Sequence, residues 1–408
     1  MTEVVVVGPG LMGLGIAQVC AAAGYTVRLA GRDAASANAG RQRLAGALAR
    51  QTSKGRLDPG TADALLARVQ PVRDEEELAG CDIAVESVPE DRALKHAVLK
   101  RLQDALPAGA LIATNTSGMP VSGLASALRQ PAHFVGLHFF SPVERMRLVE
   151  VVRGERTAQA TMGRALSFVR RLNQVPIVVR DGPGFFTSRV FAAYLDEALA
   201  MLAEGVEPDR IERAARESGR AAGPLAVFDD VSLALNLQQI RQAHADGLPP
   251  ERCRPLAQPV LEAMLALGRA GRRQGGGFYE PLADGTRRLW PGLAVLFPPA
   301  ASQPAPEQVA LRLRCAEAIE ALRCLEQGVI ASADDADVGS MLGLGFPGTE
   351  GGVLAWAERY WLSRFIAACD ALARQKRPRF APSAWVRERA GGGLQDYRAL
   401  LLERNDTR

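Results

Sequence analysis

The sequence predicts an α/β N-terminal domain built on a parallel sheet, followed by two all-α helical modules, and three observations predict it. Between Glu3 and Thr114, short β-branched runs alternate with helical stretches, the pattern of βαβ units. After Val179 no further convincing parallel strand occurs and the chain reads as helices. Within that helical part, Glu197-Ala-Leu-Ala-Met-Leu-Ala-Glu-Gly205-Val206 recurs as Glu320-Ala-Leu-Arg-Cys-Leu-Glu-Gln-Gly328-Val329, an offset of 123 residues, which reads as the tandem duplication of a helical module. The expected boundaries are 1–180 for the α/β domain, with a helical excursion at 34–69; 181–280 for the first helical module; 281–306 for a proline-rich linker with little regular structure; and 307–408 for the second module.

Glu3 to Val7 is a short β-branched strand, and Gly8-Pro-Gly10-Leu-Met-Gly13 follows at once, then helical periodicity from Leu14 to Ala23. Strand, glycines and helix stand in the order that dinucleotide binding requires, which makes the N-terminal domain Rossmann-type. Gly8 permits the tight turn, Gly10 lets a pyrophosphate approach the backbone, and Gly13 lets the helix pack closely, while Leu11 and Met12 complete the loop whose amides face the phosphates. The alternative is a glycine-rich turn with no ligand. Tyr25 to Ala30 is the second strand, and its end reaches toward the adenosine ribose. Residues 34–69, helical but broken near Lys54 to Gly60, exceed what a plain Rossmann unit needs. Cys81 to Val88 is a buried strand ending in Glu86-Ser-Val-Pro-Glu90; a helix from Ala93 to Ala105 and a strand from Leu111 to Thr114 follow, and then Asn115-Thr-Ser117-Gly. These strand ends share the carboxyl edge of a parallel sheet, where ligands bind. Taken singly, Ser117 reads as a turn or N-cap residue.

Residues 134–152 carry the clearest chemical signal. The apolar runs Phe134 to Phe140 and Met146 to Val152 read as buried strands, and each holds one ionisable residue that such a strand should not contain, His138 and Glu150. Ser141-Pro-Val-Glu144 cannot continue a strand, so the chain folds back and brings the second run beside the first. A carboxylate buried alone is costly, whereas one paired with an imidazole is compensated and fixes the ring's tautomer. An isolated pair of this kind also suits a satisfied core histidine with a glutamate at a strand edge.

Composition narrows the classes. The 408 residues are 48% hydrophobic, carry a net charge of +4 and contain only 5% aromatics, with no basic block interleaved with aromatics, which argues against nucleic acid. Six cysteines show no C-x-x-C pair and no metal-ligand spacing with histidine, so no metal is expected and a reducing, cytoplasmic setting is. No basic stretch precedes an apolar one at the N-terminus, and no run of about 18 apolar residues occurs, so neither export nor membrane insertion is expected.

The ordered set formed by the glycine fingerprint, the helical excursion, Val85-Glu-Ser-Val-Pro-Glu-Asp, Asn115-Thr-Ser, Gly136-Leu-His-Phe-Phe-Ser-Pro-Val, Leu148-Val-Glu-Val-Val, Asp181-Gly-Pro-Gly-Phe and Gly277-Phe-Tyr resembles the L-3-hydroxyacyl-CoA dehydrogenase family over roughly residues 1–280. The duplicated module, with Gly343-Leu-Gly-Phe-Pro-Gly and Gly351-Gly, is similar to the last domain of the multifunctional fatty-acid oxidation α-subunits, and nothing resembles their N-terminal enoyl-CoA hydratase domain. The resemblance implies reversible oxidation of an L-3-hydroxyacyl-CoA to the 3-oxoacyl-CoA with a nicotinamide cofactor. It implies that His138 is the general base, Glu150 its orienting carboxylate, Ser117 a serine that hydrogen-bonds the reacting oxygen, and Glu90, Lys95 and Asn115 residues of the cofactor site; an exposed helix lysine is the plainer reading of Lys95. Single-domain members carry Asn where this chain has Ser141 and Ser188, a change the multifunctional branch tolerates, which leaves the substrate-orienting role of Ser188 open. Single-module relatives dimerise through their helical domain, so two copies in one chain imply an internal pseudo-dimer, as a monomer or a homodimer.

Two alternatives keep the fold. A free hydroxy acid could replace the thioester, as in the related gulonate and carnitine dehydrogenases; the excursion at 34–69 discriminates, because in CoA-using relatives it helps to hold CoA, and its arginines with Lys54 would meet phosphates. A catalytically silent protein, as the lens crystallins illustrate, is opposed by the intact His138 and Glu150. For the cofactor, NAD(P), the family's acidic residue at the end of the second strand falls on Gly31. Losing a carboxylate removes both an acceptor for the ribose and a charge that would repel a 2′-phosphate, and Arg32 brings a planar fork of donors, so the sequence favours NADP(H). The alternative is that Asp33 serves the ribose and Arg32 faces solvent.

Overall fold

Valine-rich runs ended by glycine and proline build the sheet of the first unit, in a computed structural model that describes residues 3–72, 75–360, 362–375 and 377–389. In chain order the elements are β1 (Glu3–Val7), α1 (Leu11–Ala22), β2 (Thr26–Ala30), α2 (Ala34–Ser53), α3 (Pro59–Arg68), β3 (Val69–Pro71), β4 (Cys81–Glu86), α4 (Arg92–Ala105), β5 (Leu111–Thr114), α5 (Val121–Ala125), β6 (Phe134–Phe139), β7 (Leu148–Arg153), α6 (Gln159–Arg171) and β8 (Val175–Arg180). They form one eight-stranded sheet in the order β3-β2-β1-β4-β5-β6-β7-β8. Neighbours run parallel except β6 and β7, which are antiparallel. Strands covered on both faces have no solvent side and so no reason to alternate; Val4, Val6, Leu29, Val85, Ala113, Leu137 and Val149 join the residues of α1 and α6 in one core. Burying each valine or leucine contributes about 1.5–3 kcal/mol. The excursion is a pair of helices, α2 and α3, capped by Asp33 and Asp58. Residues Met1–Phe185 and Gly328–Ala331 make up this unit, the latter because Ile330 bridges to Val179 on β8.

The described residues of the second unit, Phe186–Gln327 with Ser332–Arg408, are mainly helical. It contains α7 (Thr187–Ala203), α8 (Pro208–Glu217), α9 (Pro224–Val231), α10 (Leu233–Ala245), α11 (Ala257–Ala266), a small hairpin of β9 (Tyr279–Pro281) and β10 (Arg287–Leu289), α12 (Leu293–Leu296), α13 (Pro306–Glu326), α14 (Ala333–Leu344), α15 (Val353–Arg359), α16 (Leu362–Arg374) and α17 (Ala384–Arg389). Within 281–306, expected as a linker with little regular structure, the short elements β10 and α12 are ordered. β10 pairs with β9, the Trp290 amide donates to the Phe278 carbonyl at 2.8 Å, Arg269 stacks over the Trp290 ring, and Leu293 is buried. Backbone hydrogen bonds and an aromatic anchor hold a stretch whose prolines alone suggest slack chain.

At the centre of this unit α7 packs against α13 through reciprocal ion pairs. Arg189 donates to Glu320 at 2.6 Å and to Gln327 at 3.0 Å; Arg312 donates to Glu197 and, at 2.6 and 2.7 Å, to Glu204. Residues 189 and 312, 197 and 320, and 204 and 327 are each 123 apart in the chain. A second correspondence lies at the helix starts. Glu212 on α8 accepts the Leu225 amide at 2.7 Å at the first turn of α9, and Asp337 on α14 accepts the Leu354 amide at 2.7 Å at the first turn of α15. Among the described residues no helix is long and apolar enough to cross a membrane.

Candidate active site

The site is assembled at the carboxyl edge of the sheet by loops that latch onto one another. The Ser87 amide donates to the Val7 carbonyl at 2.7 Å and the Asn115 amide to the Glu86 carbonyl at 2.8 Å, tying together the ends of β1, β4 and β5. The Asn115 side chain extends this, accepting the Phe139 amide at 2.9 Å and donating to the Ser87 hydroxyl at 3.2 Å. Asn115 thus joins the glycine-loop side of the edge to the residue that follows His138.

His138 and Glu150 are register partners across β6 and β7, and His138 Nδ1 lies 2.7 Å from Glu150 Oε2. Both are buried, and the Phe140 ring packs at 4.4 Å from the imidazole. The strand reversal expected at Ser141-Pro142 delivers this geometry. With Nδ1 directed at the carboxylate, Nε2 is the nitrogen able to meet a ligand, and such a ring is oriented to exchange a proton there.

A second network stands behind Ser117. Glu90 accepts the Ser117 amide at 2.9 Å, its hydroxyl at 3.4 Å and the Thr116 hydroxyl at 3.0 Å. Lys95, expected at the cofactor site or as an exposed helix lysine, is 1% exposed; its ammonium donates to Glu86 at 2.9 and 3.1 Å and stands 3.6 Å from Glu90. Glu86 also accepts the Thr114 hydroxyl at 2.6 Å and the Val88 amide at 2.7 Å, so its buried charge is compensated on every side. Sequence reasoning gave Glu86 no role, although it is a buried charge at the end of an apolar strand.

The glycine loop is shaped to hold a dinucleotide. A Cβ on Gly8 would lie 2.4 Å from the Ser87 carbonyl and one on Gly13 would lie 1.9 Å from the Gly8 carbonyl, so both positions exclude a side chain, whereas at Gly10 it would meet nothing within 4 Å. That clear face, with the first amides of α1 behind it and Leu11 68% exposed beside it, fits a pyrophosphate; Met12 packs inward on the core.

Residues 3–182 match the family model of the 3-hydroxyacyl-CoA dehydrogenase NAD binding domain, and residues 184–281 match that of its C-terminal domain. An (S)-3-hydroxybutyryl-CoA dehydrogenase from Ralstonia eutropha of known structure is 31% identical, with a TM-score of 0.64 over 68% of this chain and 98% of that one. The chain belongs to the 3-hydroxyacyl-CoA dehydrogenase family. A 3-hydroxybutyryl-CoA dehydrogenase from Escherichia coli K12 aligns with a TM-score of 0.81 and 25% identity over 95% of this chain and 98% of that one. The fatty acid oxidation complex subunit alpha of Shewanella loihica is 32% identical over 97% of this chain, which spans only 56% of that relative's length.

The remaining candidates of this family member belong to several elements. Lys54 is exposed and ends α2 at the turn before α3, and Ser141 is exposed just after β6. Ser188 is the second residue of α7 and belongs to the helical unit. Gly31 follows β2; Arg32 is 89% exposed and 3.4 Å from Asp33, whose carboxylate accepts the Ser36 amide at 2.7 Å as the N-cap of α2. That amide, followed by the Ser36 hydroxyl, holds the Asp33 carboxyl below the usual carboxylate range.

Proposed function

We propose that this chain interconverts L-3-hydroxyacyl-CoA and 3-oxoacyl-CoA with a nicotinamide cofactor. The observation that carries the reading is the buried His138–Glu150 pair on the same sheet edge as the glycine loop. His138 acts as general base through Nε2, taking the proton of the substrate 3-hydroxyl in oxidation and returning it in reduction, while Glu150 keeps the ring in one orientation and compensates the imidazolium. Ser117, held by Glu90, hydrogen-bonds the reacting oxygen, and Ser188 stands for the family's substrate-orienting Asn. Lys54 and Ser141 are assigned to the CoA end. When bound, the nicotinamide accepts or returns a hydride at C3. The names of the Ralstonia and Escherichia relatives support the thioester substrate, and the helical pair α2 and α3 supports it over a free hydroxy acid.

The cofactor we assign is NADP(H). A Cβ at Gly31 would stand 2.1 Å from the Ser36 hydroxyl, leaving no place for the ribose-binding acid, and Asp33, the other candidate for that task, is occupied as a helix cap. The reciprocal pairs Arg189–Glu320 and Arg312–Glu197 support an internal duplication whose two modules form a pseudo-dimer, since a two-fold contact repeats each interaction with the roles exchanged. Six buried cysteines, none in a disulfide among the described residues, suit a reducing cytoplasm. The decisive assay follows acetoacetyl-CoA and longer 3-oxoacyl-CoAs with NADPH and with NADH. Turnover of a thioester is expected; activity confined to free hydroxy acids, or none at all, overturns the reading.

A further inference from the structure

We propose that Arg32 and Arg43 together bind the 2′-phosphate of NADP(H), with Arg43 anchoring that subsite to the glycine loop; the proposal rests on the NADP(H) reading above. Val7 is paired with Ala30 and the Gly8 amide donates to the Ala30 carbonyl at 2.9 Å, a register that brings the start of the glycine loop beside Gly31 where β1 and β2 end. Helix α2 then packs directly on that loop: a Cβ at Gly40 would come within 2.5 Å of the Pro9 ring. From the next turn, Arg43 reaches back and donates to the Pro9 carbonyl at 2.7 Å. One guanidinium N–H is used there. The side chain is exposed, and among the described residues no acceptor holds its other donors.

The charges agree with this assignment. Asp33 is the one carboxylate among residues 31–43, ionised and directed at the Ser36 amide, and Arg32, 3.4 Å from it, has no second acidic partner among the described residues. Three guanidiniums, of which Arg41 donates to the Val69 and Leu66 carbonyls, against one carboxylate leave this stretch cationic, where an acid at position 31 would make it repel a phosphate. Two planar forks approaching from different elements, the β2–α2 turn and the body of α2, suit a tetrahedral dianion better than they suit a ribose diol.

The experiment measures dissociation constants of NADPH, NADH, 2′,5′-ADP and 5′-ADP for the wild-type chain and for Arg32→Gln, Arg43→Ala and Arg43→Gln, by nucleotide fluorescence and calorimetry. Glutamine at 43 keeps a donor for the Pro9 carbonyl while removing the charge, so it separates loop support from phosphate recognition. Losing either charge should weaken NADPH and 2′,5′-ADP by about ten- to hundredfold, with NADH and 5′-ADP changed by no more than about twofold. Equal weakening of all four ligands by Arg43→Gln would show that Arg43 serves the loop or the pyrophosphate, and the inference would be wrong while the NADP(H) reading stood. A wild-type chain that binds 5′-ADP as tightly as 2′,5′-ADP would remove both.

Discussion

His138 and Glu150 are each the only ionisable residue buried in their own apolar strand, and the 2.7 Å contact between them explains why both are tolerated there. If that contact orients a proton acceptor, His138→Ala should lower kcat by about two to four orders of magnitude with nucleotide affinity preserved; a single-turnover rate close to wild type would remove the assignment. Lys95 makes a different kind of claim. Its ammonium compensates Glu86 and faces Glu90, so Lys95→Met should cost about 3–5 kcal/mol in urea unfolding by stranding a buried charge, and Glu86→Gln in the same chain should restore much of it. No recovery in the double variant would mean that the two do not act as a pair. The pair in β6 and β7 was legible because a charged letter in an apolar strand stands out, and so was their approach, because Ser141-Pro142 forces a reversal. The Glu86–Lys95 partnership was not, since helical lysines are usually solvated and nothing in the spacing of a strand end and the helix after it says which way the side chain turns.

Strands and helices with strong periodicity were read correctly from β1 to β7, whereas β3 and β8 passed unnoticed for physical reasons. Three residues, Val69–Pro71, are too few to carry a period, and Pro176 argues against a strand until one sees that β8 lies at the sheet's edge, where one side needs few donors. The hairpin of β9 and β10 had a signal, Asp284-Gly285 between two short runs, which the surrounding prolines outweighed. At this scale the α7–α13 contact yields a prediction. Glu197 is 1% exposed and accepts from both Arg312 and Arg379, whereas Glu320 keeps some solvent and meets Arg189 and Arg323. Glu197→Ala should therefore cost about 3–5 kcal/mol and Glu320→Ala no more than about half of that, read from urea midpoints. Equal costs would show that the two ends of the repeated contact are held alike.

For the molecule as a whole, stability in acid depends on carboxylates whose protonation is shifted by folding. Burial raises the Glu204 carboxyl, but hydrogen bonds from Arg312 and Arg377 outweigh it and lower the group to about 2. A depressed carboxylate stabilises above its unfolded value, near 4.3, and loses that contribution as pH falls through the folded one. Glu204→Gln should accordingly be less stable than wild type at pH 7, with the gap closing between about pH 4.5 and about pH 2; a gap independent of pH in that window would contradict the assigned ion pairs. One feature of the first unit has its effect earlier, while the chain is being made. The outer edge of β8 is met by Ile330, which leaves the ribosome roughly 150 residues after Val179. At 5–20 residues per second that edge stays unpaired for roughly eight to thirty seconds, and that interval is when a chaperone that captures exposed strands has something to hold.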